Sequence, residues 1–165
     1  MLLDESMSHT DTSVKIPIVQ KFLHIFYGVP LTLSPAACRT IADFLEDTNT
    51  VPSDYDMILT GDLGSVGSEL LCELMIKQEN IDISAVHEDC GLMIYDSGSQ
   101  KDIEAGGSGC GCSAAVVCSD ILHRIENKEL KKVLFVGTGA LMSGISTLQS
   151  ESIPAIAHGV LLTGG

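Results

Sequence analysis

The run Glu104-Ala105-Gly106-Gly107-Ser108-Gly109-Cys110-Gly111-Cys112-Ser113-Ala114-Ala115 constrains this chain more than any other stretch. Glycines at 106, 107, 109 and 111 let backbone approach backbone, or a ligand, where a side chain would block it. The small residues that follow let a helix begin at once, with its unpaired N–H groups facing the loop. That arrangement favours an anion or a developing oxyanion. The same composition also suits a helix packed very closely on its neighbour, and the run by itself leaves both uses open.

Around this loop the sequence alternates between helical and extended patterns. Ser34-Pro35 opens a helix with proline in its first turn, and Ala37, Ile41, Phe44 and Leu45 recur at helical spacing. Asp56 to Thr60 reads as a short buried strand ending at Gly61-Asp62-Leu63-Gly64, where Gly64 or Ser65 is expected to cap the next helix. In that helix Val66, Leu70, Leu71, Leu74 and Met75 are expected on one face, with Glu69, Glu73 and Lys77 opposite. Residues 81–86 and 90–95 read as two short extended segments. A third helix is expected from the glycine-rich loop to about Asn127, with Ala114, Val117, Cys118, Ile121 and Ile125 inward. Lys132 to Gly137 is a fully apolar strand, and Ile156 to Leu162 fits a last one. Alternation of this kind predicts a layered α/β domain.

Charge and cysteine usage exclude several classes. The formal net charge is −13, and no basic stripe is present that nucleic acid or an anionic bilayer would need. Arg124, Lys128, Lys131 and Lys132 are interrupted by Glu126 and Glu129 and read as a solvated helix end. The six cysteines form no secreted framework, and the first residues, Met-Leu-Leu-Asp-Glu-Ser, are acidic where a signal peptide would be basic. Cys110-x-Cys112 is not a zinc spacing and no second pair answers it, so no metal and no cofactor are expected. The apolar window from Pro17 to Leu33 is broken by Gln20, Lys21, His24 and Pro30, leaving runs too short to span a bilayer.

Several motifs in one order resemble the stage V sporulation protein AD family. They are Tyr55-Asp56-x-Ile58-x-Thr60-Gly61-Asp62-Leu63-Gly64-x-Val66-Gly67, Asp89-Cys90-Gly91-Leu92-Met93-Ile94-Tyr95-Asp96 and Ala105-Gly106-Gly107-Ser108-Gly109-Cys110-x-Cys112-Ser113-Ala114. Leu130 to Leu134 with Thr138-Gly139-Ala140-Leu141, and Glu151-Ser152-Ile153-Pro154-x-Ile156-Ala157-His158, complete the set. The resemblance covers about residues 34–160 and implies a thiolase-like fold, in which two similar α/β halves meet about a pseudo-twofold axis. The chain is similar to the second half only. Residues 1–33 match poorly, so 34–165 is expected as the C-terminal half-domain. The resemblance also implies binding of dipicolinic acid or its calcium chelate during spore formation. It further implies partnership with membrane proteins of the same uptake machinery, and a place peripheral to the inner spore membrane. A half fold exposes the face that meets the other half, so a homodimer, or contact with the missing N-terminal half, is expected.

The fold's relatives include acyl-transfer enzymes, and that reading can be checked residue by residue. Such enzymes take a cysteine nucleophile from the first half and a histidine just after a second-half strand. This chain has Thr60-Gly61-Asp62 at that place; Asp62 alone could act as a base, and it equally suits a helix N-terminus. In the glycine-rich loop Ser108 stands where a ketoacyl synthase places asparagine, and no histidine occurs there as a thiolase would need. Val136-Gly137-Thr138 lacks the late cysteine. A non-catalytic binding scaffold is therefore expected, with an acyltransferase or an assembly subunit with a vestigial pocket as alternatives. The ligand-binding candidates are Gly61, Asp62, Gly107, Ser108, Gly109, Cys110 and His158. Asp62 and Ser108 lead because they fall on strand-to-helix turns. His158 is more in keeping with a core or interface histidine, and His87, beside Glu88 and Asp89, looks exposed.

Overall fold

The computed structural model describes residues 33–96, 99–101, 111–140 and 155–164. Helix α1 (Leu33–Thr48) leads through a 3-10 turn at Pro52–Asp54 into strand β1 (Met57–Thr60). Helix α2 (Gly64–Leu74) continues into a π-helical turn, Met75–Glu79. Strand β2 (His87–Asp89) passes directly into the short helix α3 (Cys90–Ile94). Helices α4 (Cys112–Val116) and α5 (Leu122–Glu126) are joined without a break by a second π turn, Val117–Ile121. Strands β3 (Lys132–Ala140) and β4 (Ala155–Thr163) complete the sheet.

The four strands run in the order β2-β1-β3-β4, with β1 parallel to both β2 and β3 and β4 antiparallel to β3. All four residues of β1 are buried, because helices cover both of its faces. Ile58, Leu134, Val136, Ala155 and Ala157 face one layer with α1, Leu71 and Met75. Met57, Leu59, Val133 and Leu162 face the other with Cys112, Val116, Ile121 and Ile125. This is the layered α/β architecture that the alternation of patterns predicted.

Several local expectations need correction. Residues 81–86 form no strand; the extended pairing is confined to His87–Asp89. Residues 90–94 are helical and not extended, because the Asp89 side chain accepts a hydrogen bond from the Gly91 amide and caps a helix there. Helix α2 has no side-chain cap from Ser65, and its first residue Gly64 takes a left-handed φ of 65°. Its buried stripe is Gly64, Gly67, Ser68 and Leu71, running on to Met75, whereas Val66 is 51% exposed. The stripe uses small residues because α1 crosses here: the Ser34 hydroxyl donates to the Gly67 carbonyl at 2.8 Å. A Cβ on Gly67 would lie 2.9 Å from that of Leu63.

In the continuous helix formed by α4, the π turn and α5, Cys112, Val116, Ile121 and Ile125 are buried, while Ala114 and Cys118 are exposed. The π turn explains the discrepancy. Its i to i+5 hydrogen bonding inserts one residue, so the inward positions are spaced four, five and four apart.

Asp56 ties the two central strands together at their N-terminal ends. Its carboxylate accepts from the backbone amides of Lys131 at 2.7 Å and Lys132 at 2.9 Å. These two bonds hold the Asp56 carboxyl below the ordinary carboxylate range. A carboxyl lowered in the folded state contributes stability above its unfolded pKa and loses it as pH falls through the folded value. Asp56→Asn should therefore flatten the acid limb of a plot of melting temperature against pH. An unchanged limb would show that the exposed bonds contribute nothing measurable.

Candidate functional site

The C-terminal ends of β1 and β3 point the same way, and α/β folds place their ligands at this edge of the sheet. The chain leaves β1 through Gly61-Asp62-Leu63. That turn is held from beneath by a fully buried carboxylate, Asp89, at the end of β2. Its oxygens accept from the Thr60 hydroxyl at 2.6 Å, the Leu63 amide at 2.9 Å, and the Gly64 and Gly91 amides at 3.0 Å each. A buried carboxylate is tolerated only when its lone pairs are met, and four donors meet them here. Asp89 thus does for α2 what no cap residue of α2 does: it satisfies amides at the helix start.

With the turn fixed, Gly61 and Asp62 lie against the end of β3. A Cβ on Gly61 would lie 3.1 Å from Thr138 Oγ1, 3.2 Å from Thr138 N and 3.7 Å from Ser113 Cβ, so β1, β3 and the start of α4 converge on a glycine. The Thr138 hydroxyl donates to Asp62 Oδ1 at 3.3 Å, and Asp62 is half-buried. The arrangement offers one carboxylate, one hydroxyl and closely approached backbone at this edge of the sheet.

Among the sequence candidates, Gly61 and Asp62 are brought together with Thr138. Gly107, Ser108, Gly109 and Cys110 lie outside the described residues. His158 sits on the edge strand β4, opposite Gly137, and is exposed, so of its two readings, core or interface, the core one is corrected. Strand alternation turns its side chain to the face opposite that of Thr138.

His87 is likewise corrected: it is half-buried and bonded, not exposed. Its Nε2 lies 3.1 Å from Thr60 Oγ1 and its Nδ1 lies 3.8 Å from Cys72 Sγ. Thr60 gives its proton to Asp89, so its oxygen accepts from His87 Nε2–H and the lone pair of Nδ1 faces the thiol. Burial lowers the His87 pKa against the opposing field of Asp89. The ring is therefore neutral at physiological pH.

Two buried thiols, Cys38 and Cys90, are held protonated. Burial, then Glu79, pushes Cys38 up to about 11. Burial, then Asp89, pushes Cys90 up to about 12. Among the described residues Cys38, Cys72, Cys90, Cys112 and Cys118 are free thiols.

Sequence reasoning missed Asp89, Thr138 and Ser113 as parts of this site. A signal existed for Asp89, since an aspartate immediately before Cys-Gly-Leu-Met is a good N-cap; it was hidden by reading 90–95 as a strand. For Thr138 and Ser113 no local signal exists, because their proximity to Gly61 arises from strand pairing and helix docking.

The structure defines an α/β domain whose recognisable site is a strand-to-helix turn locked by a buried carboxylate. The family model described as Stage V sporulation protein AD (SpoVAD) matches residues 28–163. Stage V sporulation protein AD of Bacillus subtilis (strain 168) is 44% identical over 129 residues, which is 78% of this chain and 37% of that protein. The chain belongs to the stage V sporulation protein AD family. It spans little more than a third of the length of that relative.

Proposed function

We propose that this chain is the second half of a thiolase-like sporulation protein, and that it binds dipicolinate without catalysing acyl transfer. Family membership supports the setting, a sporulation protein. The observation that carries the binding reading is the convergence of Gly61, Asp62 and Thr138 at the C-terminal edge of β1 and β3. Here a rigid turn presents polar groups over a glycine instead of a side chain.

The same geometry argues against Thr60 or Gly61 as a general base at the strand end. The Thr60 hydroxyl is fully buried and committed to Asp89 and His87, and Gly61 has no side chain. Charge selects the form of the ligand. A free dicarboxylate meets repulsion from Asp62 and from a chain of net charge −13, whereas the calcium chelate brings its own counter-charge. In this reading Asp62 faces the calcium and the Thr138 hydroxyl steadies the aspartate. Attachment to the inner spore membrane occurs through partner proteins, in keeping with the absence, among the described residues, of any helix long and apolar enough to cross a membrane.

Thermal unfolding with calcium dipicolinate tests the proposal. At a hundredfold excess over Kd a ligand bound only by the folded state stabilises it by about 2.7 kcal/mol, a rise of about 5–10 °C for a chain of this size. The rise should be absent with calcium alone or dipicolinate alone, and Asp62→Asn should abolish it. An equal response to dipicolinate without calcium would overturn the role of Asp62. No response under any condition would overturn binding by this half.

A further inference from the structure

Four of the nine basic residues, Arg124, Lys128, Lys131 and Lys132, gather where α5 turns into β3. The structure divides them into two pairs. Arg124 is engaged with Asp120 at 3.3 Å and Glu129 at 3.8 Å, and the Lys132 ammonium lies 4.3 Å from the centroid of the Tyr55 ring. Lys128 and Lys131 are exposed and enter no ion pair among the described residues. The acids that interrupt the run do not neutralise them: Glu129 faces Arg124, and Glu126 lies 3.4 Å from His123 Nδ1. Asp56 attracts Lys131, but its Oδ2 is already shared by the Lys131 and Lys132 amides.

These two lysines line one cavity, of about 220 Å³, together with Ile125, Leu130 and Gly164. Ile125 and Leu130, both buried, form its floor. Gly164 is held beside them by the bond from its amide to the Lys131 carbonyl at 2.9 Å. A Cβ on Gly164 would lie 3.3 Å from Ile125 Cγ2, so glycine keeps this wall free of a side chain. The backbone supplies a second observation. Lys128 has a left-handed φ of 62°, and the other non-glycine residues at positive φ among the described residues are Asn49 and Asn80, a type that tolerates it. Just past a helix end this conformation is usually given to glycine or asparagine. A lysine there is strained, and such strain collects at binding sites.

We propose that the cavity between the end of α5 and the end of β4 binds a small organic carboxylate with a short apolar body, its tail on Ile125 and Leu130 and its carboxylate between the Lys128 and Lys131 ammonium groups. The four-carbon stem of each lysine brings its ammonium over the mouth and adds apolar surface to the wall. In a chain of net charge −13 most of the surface repels an anion, so two unneutralised lysines decide where one settles. The volume of about 220 Å³ has room for about seven water-sized groups, which suits the tail of a carboxylate the size of hexanoate. A partner helix, about 10–12 Å across with its side chains, cannot enter it. The site lies at the N-terminal ends of β1 and β3, the opposite edge of the sheet from Gly61 and Asp62, and does not rest on the dipicolinate reading.

Titration of the ¹⁵N-labelled chain with sodium hexanoate, followed by amide NMR, tests this directly. One saturable set of shifts should appear, confined to residues 125–131 and 162–164. Acetate, which lacks the tail, and hexylammonium, which reverses the charge, should each bind at least about tenfold more weakly. These arms use the unaltered chain and so stand whether or not a variant folds. Lys131→Gln should weaken hexanoate binding about tenfold. Lys128→Gly should weaken it as much while raising the melting temperature by about 1–4 °C, because glycine relaxes the left-handed position. A purely structural lysine would not move binding and stability in opposite directions. Absence of a saturable shift, equal binding of acetate or hexylammonium, or undiminished binding by either lysine variant would each overturn the proposal.

Discussion

Asp89→Ala is expected to be the most damaging single substitution near the site. It removes the acceptor from the Thr60 hydroxyl and from the Leu63, Gly64 and Gly91 amides at once. A buried donor left without a partner costs about 1–3 kcal/mol, and because some of these amides can find water the sum is set at about 4 kcal/mol. For a chain of this size that is a fall in melting temperature of about 8–16 °C. Asp89→Asn keeps one carbonyl oxygen in place but sets an amide N–H against backbone donors, so it should recover only part of the loss. Asp62→Asn, one turn away and half-buried, should move the melt by no more than about 2 °C. If Asp89→Ala melts within a few degrees of the unaltered chain, the carboxylate does not hold the turn.

Leu71→Ala is the second large effect. Leu71 is fully buried and joins α2 to α1 and to the α1-facing side of the sheet. Truncation of such a leucine costs about 3–5 kcal/mol, the transfer of the lost carbons plus the cavity they leave. The urea midpoint should fall accordingly with an unchanged slope. Val66→Ser on the same helix should change it by about 0.5 kcal/mol or less, because Val66 is 51% exposed. The pair is a sharp test of which face of α2 is inward. Equal effects from the two substitutions would mean that the helix is rotated from the position described.

The contrast between Leu71 and Val66 also shows where the sequence was legible. Strongly periodic or continuously apolar segments announced themselves: α1 from its proline start, β1 and β3 from unbroken apolar runs, β4 from the late apolar stretch 156–162. Each is governed by local pattern, and each lies where it was expected, with β3 longer by three residues. The failures were places where a tertiary contact outweighs local pattern. Val66 looked inward because it is apolar, yet small residues occupy that position where α1 crosses α2. His87 looked exposed because acids flank it, yet β2 is an edge strand whose side chains meet α2. Of the candidate site, the turn at Gly61-Asp62 was visible as a strand end before a helix. The carboxylate that fixes it comes from a separate strand, with Asp89 twenty-five to twenty-nine residues beyond the groups it holds on that turn, and no short-range rule connects them.

The π turn between α4 and α5 separates chain length from packing. In an ordinary helix one residue gained or lost turns everything beyond it by about 100°, and an inward stripe becomes an outward one. Here the inward positions before the turn, Cys112 and Val116, and those after it, Ile121 and Ile125, are already out of phase with one another by a single residue. Loss of one residue within Val117–Ile121 brings the two stripes into ordinary helical phase instead of driving them apart. The segment is thus a built-in slip joint, where the helix can shorten by one residue and still present the same four side chains to the sheet.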